Sequence, residues 1–128
     1  MKRPSIHVAK KVHNCEHCGF THDSKMEAKF CTRIHLEKMA QDTDIVQIDV
    51  FPVVTLGKGI KWKLDFCVWR EVKYYTPSMT GVYPEYIDVK SMFYAKKEAF
   101  RIKRKLFDDM YPALLTVLCL KRKQWVEL

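Results

Sequence analysis

Lys61-Trp62-Lys63-Leu64-Asp65-Phe66-Cys67-Val68-Trp69 and Glu85-Tyr86-Ile87-Asp88-Val89-Lys90 are the stretches on which the reading of this chain turns. In the first, Trp62, Leu64, Phe66 and Val68 alternate with polar or mixed neighbours, the period of a strand with Asp65 on the face opposite the apolar row. In the second, the same period puts Asp88 and Lys90 on one face and Ile87 and Val89 on the other. Paired as a hairpin through the turn-rich connection from Tyr75 to Pro84, the two strands bring Asp65, Asp88 and Lys90 together. Two carboxylates at close range repel unless a hard cation lies between them, and an ammonium beside them orients or deprotonates a water. An Asp and a Lys two apart on an edge strand are also, commonly, a solvated face with a weak ion pair. The order of the surrounding elements decides between these readings.

Upstream, Asp23 or Ser24 caps a helix that runs to about Ala40, with Met26, Phe30, Ile34 and Met39 near helical spacing. Glu27 lies three residues beyond Ser24, in the first turn, where its plainest role is a capping box. Residues 5 to 13 alternate weakly and predict a strand leading to a turn at Asn14 to Gly19. Ile45 to Leu56 is an apolar-rich run in which Pro52 marks an edge or a bulge, and Gly57-Lys58-Gly59 turns it into the Asp65 strand. Downstream, Met92 to Met110 predicts one helix, with a stripe of Met92, Ala95, Ala99, Ile102, Leu106 and Met110 widened by Phe93, Phe100 and Phe107. Lys97, Arg101, Arg104 and Lys105 share a basic face of it. Pro112 ends the helix, and Ala113 to Leu120 reads as a buried strand. The order is helix, three strands, helix, strand, an α/β arrangement.

At 128 residues the chain allows one domain, 1–128, with 1–22 as an N-terminal hairpin or zinc knuckle and 121–128 as a basic tail. A hydrophobic fraction of 48% with 30% charged residues is that of a soluble globular protein. No apolar run reaches the length of a membrane span, and Met1-Lys2-Arg3-Pro4 opens onto no signal core, so no membrane partner and no export are expected. Five cysteines in unrelated contexts fit a reducing, cytoplasmic compartment better than a disulfide framework. The net charge of +8 is uneven: residues 1–40 and 91–128 are basic, whereas residues 41–90 carry six Lys/Arg against seven Asp/Glu. A slightly acidic centre between basic flanks suits a polyanion held by its phosphates beside a metal held by carboxylates; basic helices that are merely soluble would give the same totals.

Cys15-x2-Cys18 is followed, after twelve intervening residues, by Cys31-x3-His35. Cys31 and His35 are i and i+4 on the predicted first helix, so a hairpin knuckle facing that helix would gather Cys15, Cys18, Cys31 and His35 around a structural Zn2+. His13, His17 and His22 compete for the ligand positions, and Cys31 also suits a small buried hydrophobe. Zinc here would staple the hairpin to the helix that displays Glu27. Cys67 and Cys119, in apolar strands, read as core.

Asp23-Ser24-Lys25-Met26-Glu27-Ala28, Leu64-Asp65-Phe66, Ile87-Asp88-Val89-Lys90, and Phe100-Arg101-Ile102-Lys103-Arg104-Lys105-Leu106 with Tyr111-Pro112 occur in the order of an αβββαβ core. Together they resemble the PD-(D/E)xK nuclease superfamily, and more narrowly a family of small phage-encoded, junction-resolvase-like endonucleases, over about Lys10 to Leu120. The resemblance implies a restriction-endonuclease-like fold, a mixed central sheet flanked by helices. It also implies a metal-dependent endodeoxyribonuclease that hydrolyses phosphodiester bonds in the host-cell cytoplasm, with branched DNA as a candidate substrate. It implies Mg2+ or Mn2+ on Asp65 and Asp88, Lys90 as the catalytic lysine and Glu27 as the helix glutamate. Leu64 stands where the family usually has proline, and Asp88 where Glu is commoner; both departures keep oxygen ligands for a hard cation.

The expected partner is DNA, bound by a homodimer or within a larger nucleoprotein complex, with Lys97, Arg101, Arg104, Lys105 and the Lys121-Arg122-Lys123 tail as phosphate contacts. Tyr74 and Tyr75 would stack on bases or pack, and Trp125 would cover a core edge or a dimer contact. The competing readings are a non-catalytic, zinc-stabilised DNA-binding or assembly protein, and a nuclease subunit of a larger phage or mobile-element complex.

Overall fold

The computed structural model describes residues 13–15, 17–72 and 81–128. The expected strand over most of residues 5–13, the turn residue Glu16, and Tyr74 and Tyr75 lie outside the described residues. The elements are β1 (His13–Asn14), β2 (Thr21–His22), α1 (Lys25–Lys38), β3 (Ile45–Val50), β4 (Val53–Thr55), β5 (Lys61–Lys63), β6 (Phe66–Val72), β7 (Gly81–Val89), α2 (Met92–Ala95), α3 (Glu98–Met110), β8 (Leu114–Lys121) and β9 (Gln124–Glu127). A five-stranded sheet in the order β3-β6-β7-β8-β9 runs through the centre, antiparallel except where β7 and β8 lie parallel. The parallel pair requires a crossover, and α2 and α3 supply it.

Apolar residues on the two sides of this mixed sheet meet different helices. Phe30, Cys31 and Ile34 of α1 pack with Phe66, Val68, Ile87 and Val89. Phe100 and Phe107 of α3 pack with Leu115 and Val117, and with Trp62 and Leu64. Trp125 lies edge-on to Phe30, with centroids 5.0 Å apart, and covers the edge of the first cluster. Cys67 and Cys119 are buried. Among the described residues no helix is long and apolar enough to cross a membrane.

Three expected elements are divided. The run Ile45 to Leu56 breaks at Phe51-Pro52, and the Asp65 strand breaks at Leu64-Asp65. The two breaks face each other: the Phe51 N–H donates to the Asp65 carbonyl at 2.9 Å, and the Leu64 N–H to the Pro52 carbonyl at 2.9 Å. Proline cannot donate to a ladder, and Phe51 takes a φ of 59°, so the ribbon bends there. The bend sends Trp62 and Leu64 to the α3 side while Phe66 and Val68 stay on the α1 side, so the expected single apolar row opposite Asp65 is two half-rows on opposite faces.

The expected single helix from Met92 to Met110 is likewise two. Ser91 caps α2, accepting from the Tyr94 N–H at 3.1 Å, and Lys97 leaves helical geometry before α3 begins. Phe100 and Phe107, two turns apart, are the buried pair, seated against Trp62 at 5.7 Å and 6.3 Å between centroids. Met92, Ile102 and Met110 of the expected stripe are exposed, as is Phe93 at 77%. The larger aromatic surface wins the core, and the break lets α3 turn it inward. Tyr111, extended before Pro112, ends the helix as expected. The basic tail is a strand: β9 pairs with β8 through a two-residue turn whose Arg122 and Lys123 both have positive φ.

Candidate active site and metal centre

The hairpin of β6 and β7 aligns Phe66 with Ile87. Continued by one residue, that register sets Asp65 opposite Asp88 at the mouth of the bend. The Val89 N–H donates to Asp65 Oδ2 at 2.7 Å, and the Lys90 N–H donates to the Leu118 carbonyl at 2.9 Å, so both acids and the lysine are held by the backbone of the central strands. Lys90 Nζ stands 3.2 Å from Asp88 Oδ2 and 3.7 Å from Asp65 Oδ2. From α1, Ser24 Oγ caps the helix by accepting from the Glu27 N–H at 3.0 Å, and the buried Glu27 carboxylate comes within reach of Asp65. The Glu27 side chain thus turns to the acidic cluster and to His22, and the cap bond is that of Ser24. Glu27, Asp65, Lys90, Ser91 and Tyr94 line an open cavity of about 390 Å³. Asp88, fully buried beside Asp65 and Lys90, is the fourth of the residues expected from the sequence.

The electrostatics of this cluster are those of too many acids for one ammonium. Burial, opposed by Lys90, pushes the Asp65 carboxyl up to about 6. Burial and then the charge of Asp65 push Asp88 up to about 7. Burial alone would lower the Lys90 ammonium, but Asp65 and Asp88 outweigh it and raise its pKa. Asp88 is fully buried, and the Lys90 ammonium 3.2 Å from Oδ2 is its one close cation among the described residues. A buried carboxylate is costly to ionise. Two Asp carboxylates with a nearby Glu are the all-oxygen donor set that suits Mg2+ or Mn2+, and such a cation would supply the positive charge that one ammonium does not.

A second cluster lies on the other side of Glu27. The hairpin of β1 and β2 turns through Gly19, at a φ of 75°, with the Gly19 N–H donating to the Cys15 carbonyl at 3.2 Å and the Phe20 N–H to Cys18 Sγ at 3.3 Å. This turn aims Cys15 and Cys18 at Cys31 of α1. Cys15 Sγ and Cys31 Sγ are 3.2 Å apart, and Cys18 Sγ is 3.5 Å from His22 Nε2. The ligand atoms of Cys15, Cys18, His22 and Cys31 all lie within 4.8 Å of one another, a set of three thiols and one imidazole that can hold a structural metal such as zinc. Burial first, and then the neighbouring thiols, push the Cys31 thiol far up, a penalty that a cation would remove.

The fourth member of this set is His22, not the expected His35. His35 Nδ1 lies 2.8 Å from the carbonyl of Cys31, one turn back on its own helix, and this bond occupies the ring nitrogen that stands 3.5 Å from Cys31 Sγ. His22, by contrast, is brought in by strand pairing and is fully buried. Burial, opposed by Asp23, lowers its pKa, which favours the neutral ring. Its Nδ1 lies 3.0 Å from Glu27 Oε2. A carboxylate only accepts, so Nδ1 carries the proton and Nε2 faces the thiols.

The basic face is partly rearranged. Arg101, Arg104 and Lys105 line one hollow of about 380 Å³ on α3, together with Lys96. Lys97 is not among them: it precedes the helix, with Nζ 5.3 Å from the ring centroids of both Phe93 and Tyr94. Arg104 Nη1 donates to the Leu128 carbonyl at 3.0 Å and so also ties α3 to the end of β9.

The family model described as protein of unknown function (DUF1064) matches residues 5–126. No curated protein and no solved structure matches the chain.

Proposed function

We propose that this chain, which belongs to the family of proteins of unknown function (DUF1064), is a metal-dependent DNA endonuclease that hydrolyses phosphodiester bonds at Glu27, Asp65, Asp88 and Lys90 on a restriction-endonuclease-like αβββαβ core. The observation that carries this reading is Asp88: a fully buried carboxylate with one ammonium 3.2 Å away, next to Asp65 and Lys90, which line an open cavity. An apolar or amide side chain would cost less there unless a cation is to be held.

In this reading Asp65 and Asp88 hold Mg2+ or Mn2+. When bound, the ion polarises the scissile phosphate and lowers the pKa of a coordinated water. Lys90, kept charged by the two acids, orients the attacking water or offsets charge developing on the phosphate. Glu27 steadies a water or ligand from the α1 side. Arg101 and Lys105, exposed on α3, provide phosphate contacts that position the nucleic acid without reading its sequence.

Branched, single-stranded and duplex DNA, each incubated with Mg2+, with Mn2+ or with EDTA, test the reading. Cleavage that requires the divalent cation is expected for at least one substrate. Binding without cleavage of any of them would replace the enzyme with a zinc-stabilised DNA-binding protein, the alternative that the thiol and imidazole cluster favours.

A further inference from the structure

We infer that Cys15, Cys18, His22 and Cys31 form a zinc centre whose outer carboxylate is Glu27, so that the zinc centre and the acidic cluster share one residue and the first positions it for the second. The part concerning the acidic cluster rests on its reading as a divalent-cation site; the zinc centre does not.

The geometry joins the two sites through a single imidazole. His22 has two ring nitrogens with different partners: Nε2 is 3.5 Å from Cys18 Sγ within the four-ligand cluster, and Nδ1 is 3.0 Å from Glu27 Oε2. The proton that Glu27 accepts fixes the tautomer, and the Nε2 lone pair is left for a metal. An imidazole bound to metal through one nitrogen and donating the other to a carboxylate is held in ring orientation and made a better ligand. Two further features make the arrangement stiff. Glu27 and Cys31 are i and i+4 on α1, hence one turn apart on the same face, so a metal that grips Cys31 also fixes the turn carrying Glu27. The rings of Phe51 and Phe66 lie 5.4 Å and 5.7 Å from that of His22, which is fully buried.

Three sulfurs and one imidazole nitrogen suit a tetrahedral, borderline-soft cation, whereas the oxygens of Asp65 and Asp88 suit a hard one. The chain therefore sorts two metals by donor type across about one side chain, and Glu27 stands between them. His22 donates to one oxygen of Glu27, and the carboxylate keeps lone pairs for the acidic side, where it lies within reach of Asp65. Glu27 is thereby a positioning residue for zinc as well as a member of the acidic cluster.

The test uses the full chain, purified without chelator from zinc-supplemented medium. Metal analysis should find about one zinc per chain. Competition with a chromophoric chelator should show Glu27→Ala binding zinc about ten- to a hundredfold more weakly, with Glu27→Gln, which keeps a carbonyl acceptor for Nδ1–H, recovering part of that loss. In cobalt-substituted protein, thiolate charge-transfer bands should report the ligand set of three sulfurs and one nitrogen, and Glu27→Ala should shift the d–d bands without abolishing them. A general loss of folding would not produce that pattern. Asp88→Asn should leave zinc affinity unchanged and remove Mn2+ binding followed by electron paramagnetic resonance. Zinc affinity that depends on Glu27 while wild-type protein fails to bind Mn2+ would support the zinc centre and remove the acidic-site reading alone. Wild-type protein without zinc, or zinc affinity and cobalt spectra indifferent to Glu27, would overturn the inference.

Discussion

Asp88→Asn should make the protein more stable at pH 8 in the absence of Mg2+, while removing its capacity to be stabilised by that ion. The folded state holds the Asp88 proton up to about 7, against an ordinary value of 3.8. For an acid raised in this way, the stability it contributes is fully present below the unfolded value and is lost as pH rises through the folded one. At ~1.4 kcal/mol per unit, the ionised side chain costs ~4 kcal/mol above pH 7. Asparagine removes that charge but leaves its own amide without partners and takes one carboxylate from Lys90, which keeps Asp65 at 3.7 Å. The net gain should be ~1–3 kcal/mol, or ~3–10 °C in Tm for a chain of this size. Thermal melts of zinc-loaded protein, followed by circular dichroism at pH 5 and pH 8, read this directly. The variant should melt above wild type at pH 8, by less at pH 5, and excess Mg2+ should raise wild type alone. A variant that melts lower at pH 8, by the ~3–5 kcal/mol typical of breaking a buried ion pair, would show Asp88 and Lys90 to be a structural pair and refute the reasoning.

With Asp65 also raised, to about 6, the Tm of Mg2+-free wild type relative to an Asp65→Asn/Asp88→Asn double variant should fall as pH climbs from about 4 to about 7, a comparison in which the opposite contribution of His22 cancels; a relative Tm that rises there would contradict the assignment. Arg101→Ala should reduce the slope of log K against log salt by about one unit for every DNA tested, measured by fluorescence anisotropy. Arg104→Ala should additionally lower Tm, because its guanidinium holds the Leu128 carbonyl. Phe107→Ala empties a fully buried site between Trp62, Tyr86 and Tyr111 and should cost ~3–5 kcal/mol in urea unfolding.

The acidic cluster was legible because short-range rules determine it. Period-two alternation and an antiparallel hairpin are enough to set Asp65 against Asp88 and Lys90, and a capping serine is enough to put Glu27 in the first turn. The bend at Phe51-Pro52 and Leu64-Asp65 was not legible beyond the hint in Pro52. Helices cover both faces of the sheet, so Trp62, Leu64, Phe66 and Val68 find apolar partners on either side and their alternation conceals the change of face. The division of α2 from α3 was hidden likewise: apolar residues recur at helical spacing without a break from Met92 to Met110, and only packing against Trp62 and Tyr86 selects Phe100 and Phe107. His35 was favoured over His22 because i, i+4 spacing is visible along a helix, whereas His22 arrives by strand pairing. The interval Cys18-x3-His22 in a hairpin was the available signal.

Whether Asp65 and Asp88 hold a divalent cation for phosphodiester hydrolysis is tested most directly by cleavage and binding measured side by side for wild type and Asp88→Asn. With Mg2+ and whichever of the branched, single-stranded or duplex DNAs is cut, Asp88→Asn should show no cleavage while its affinity for DNA stays within a few-fold of wild type, because a metal ligand is lost and no phosphate-contacting cation is. Cleavage by Asp88→Asn at the wild-type rate would contradict the assignment of the site.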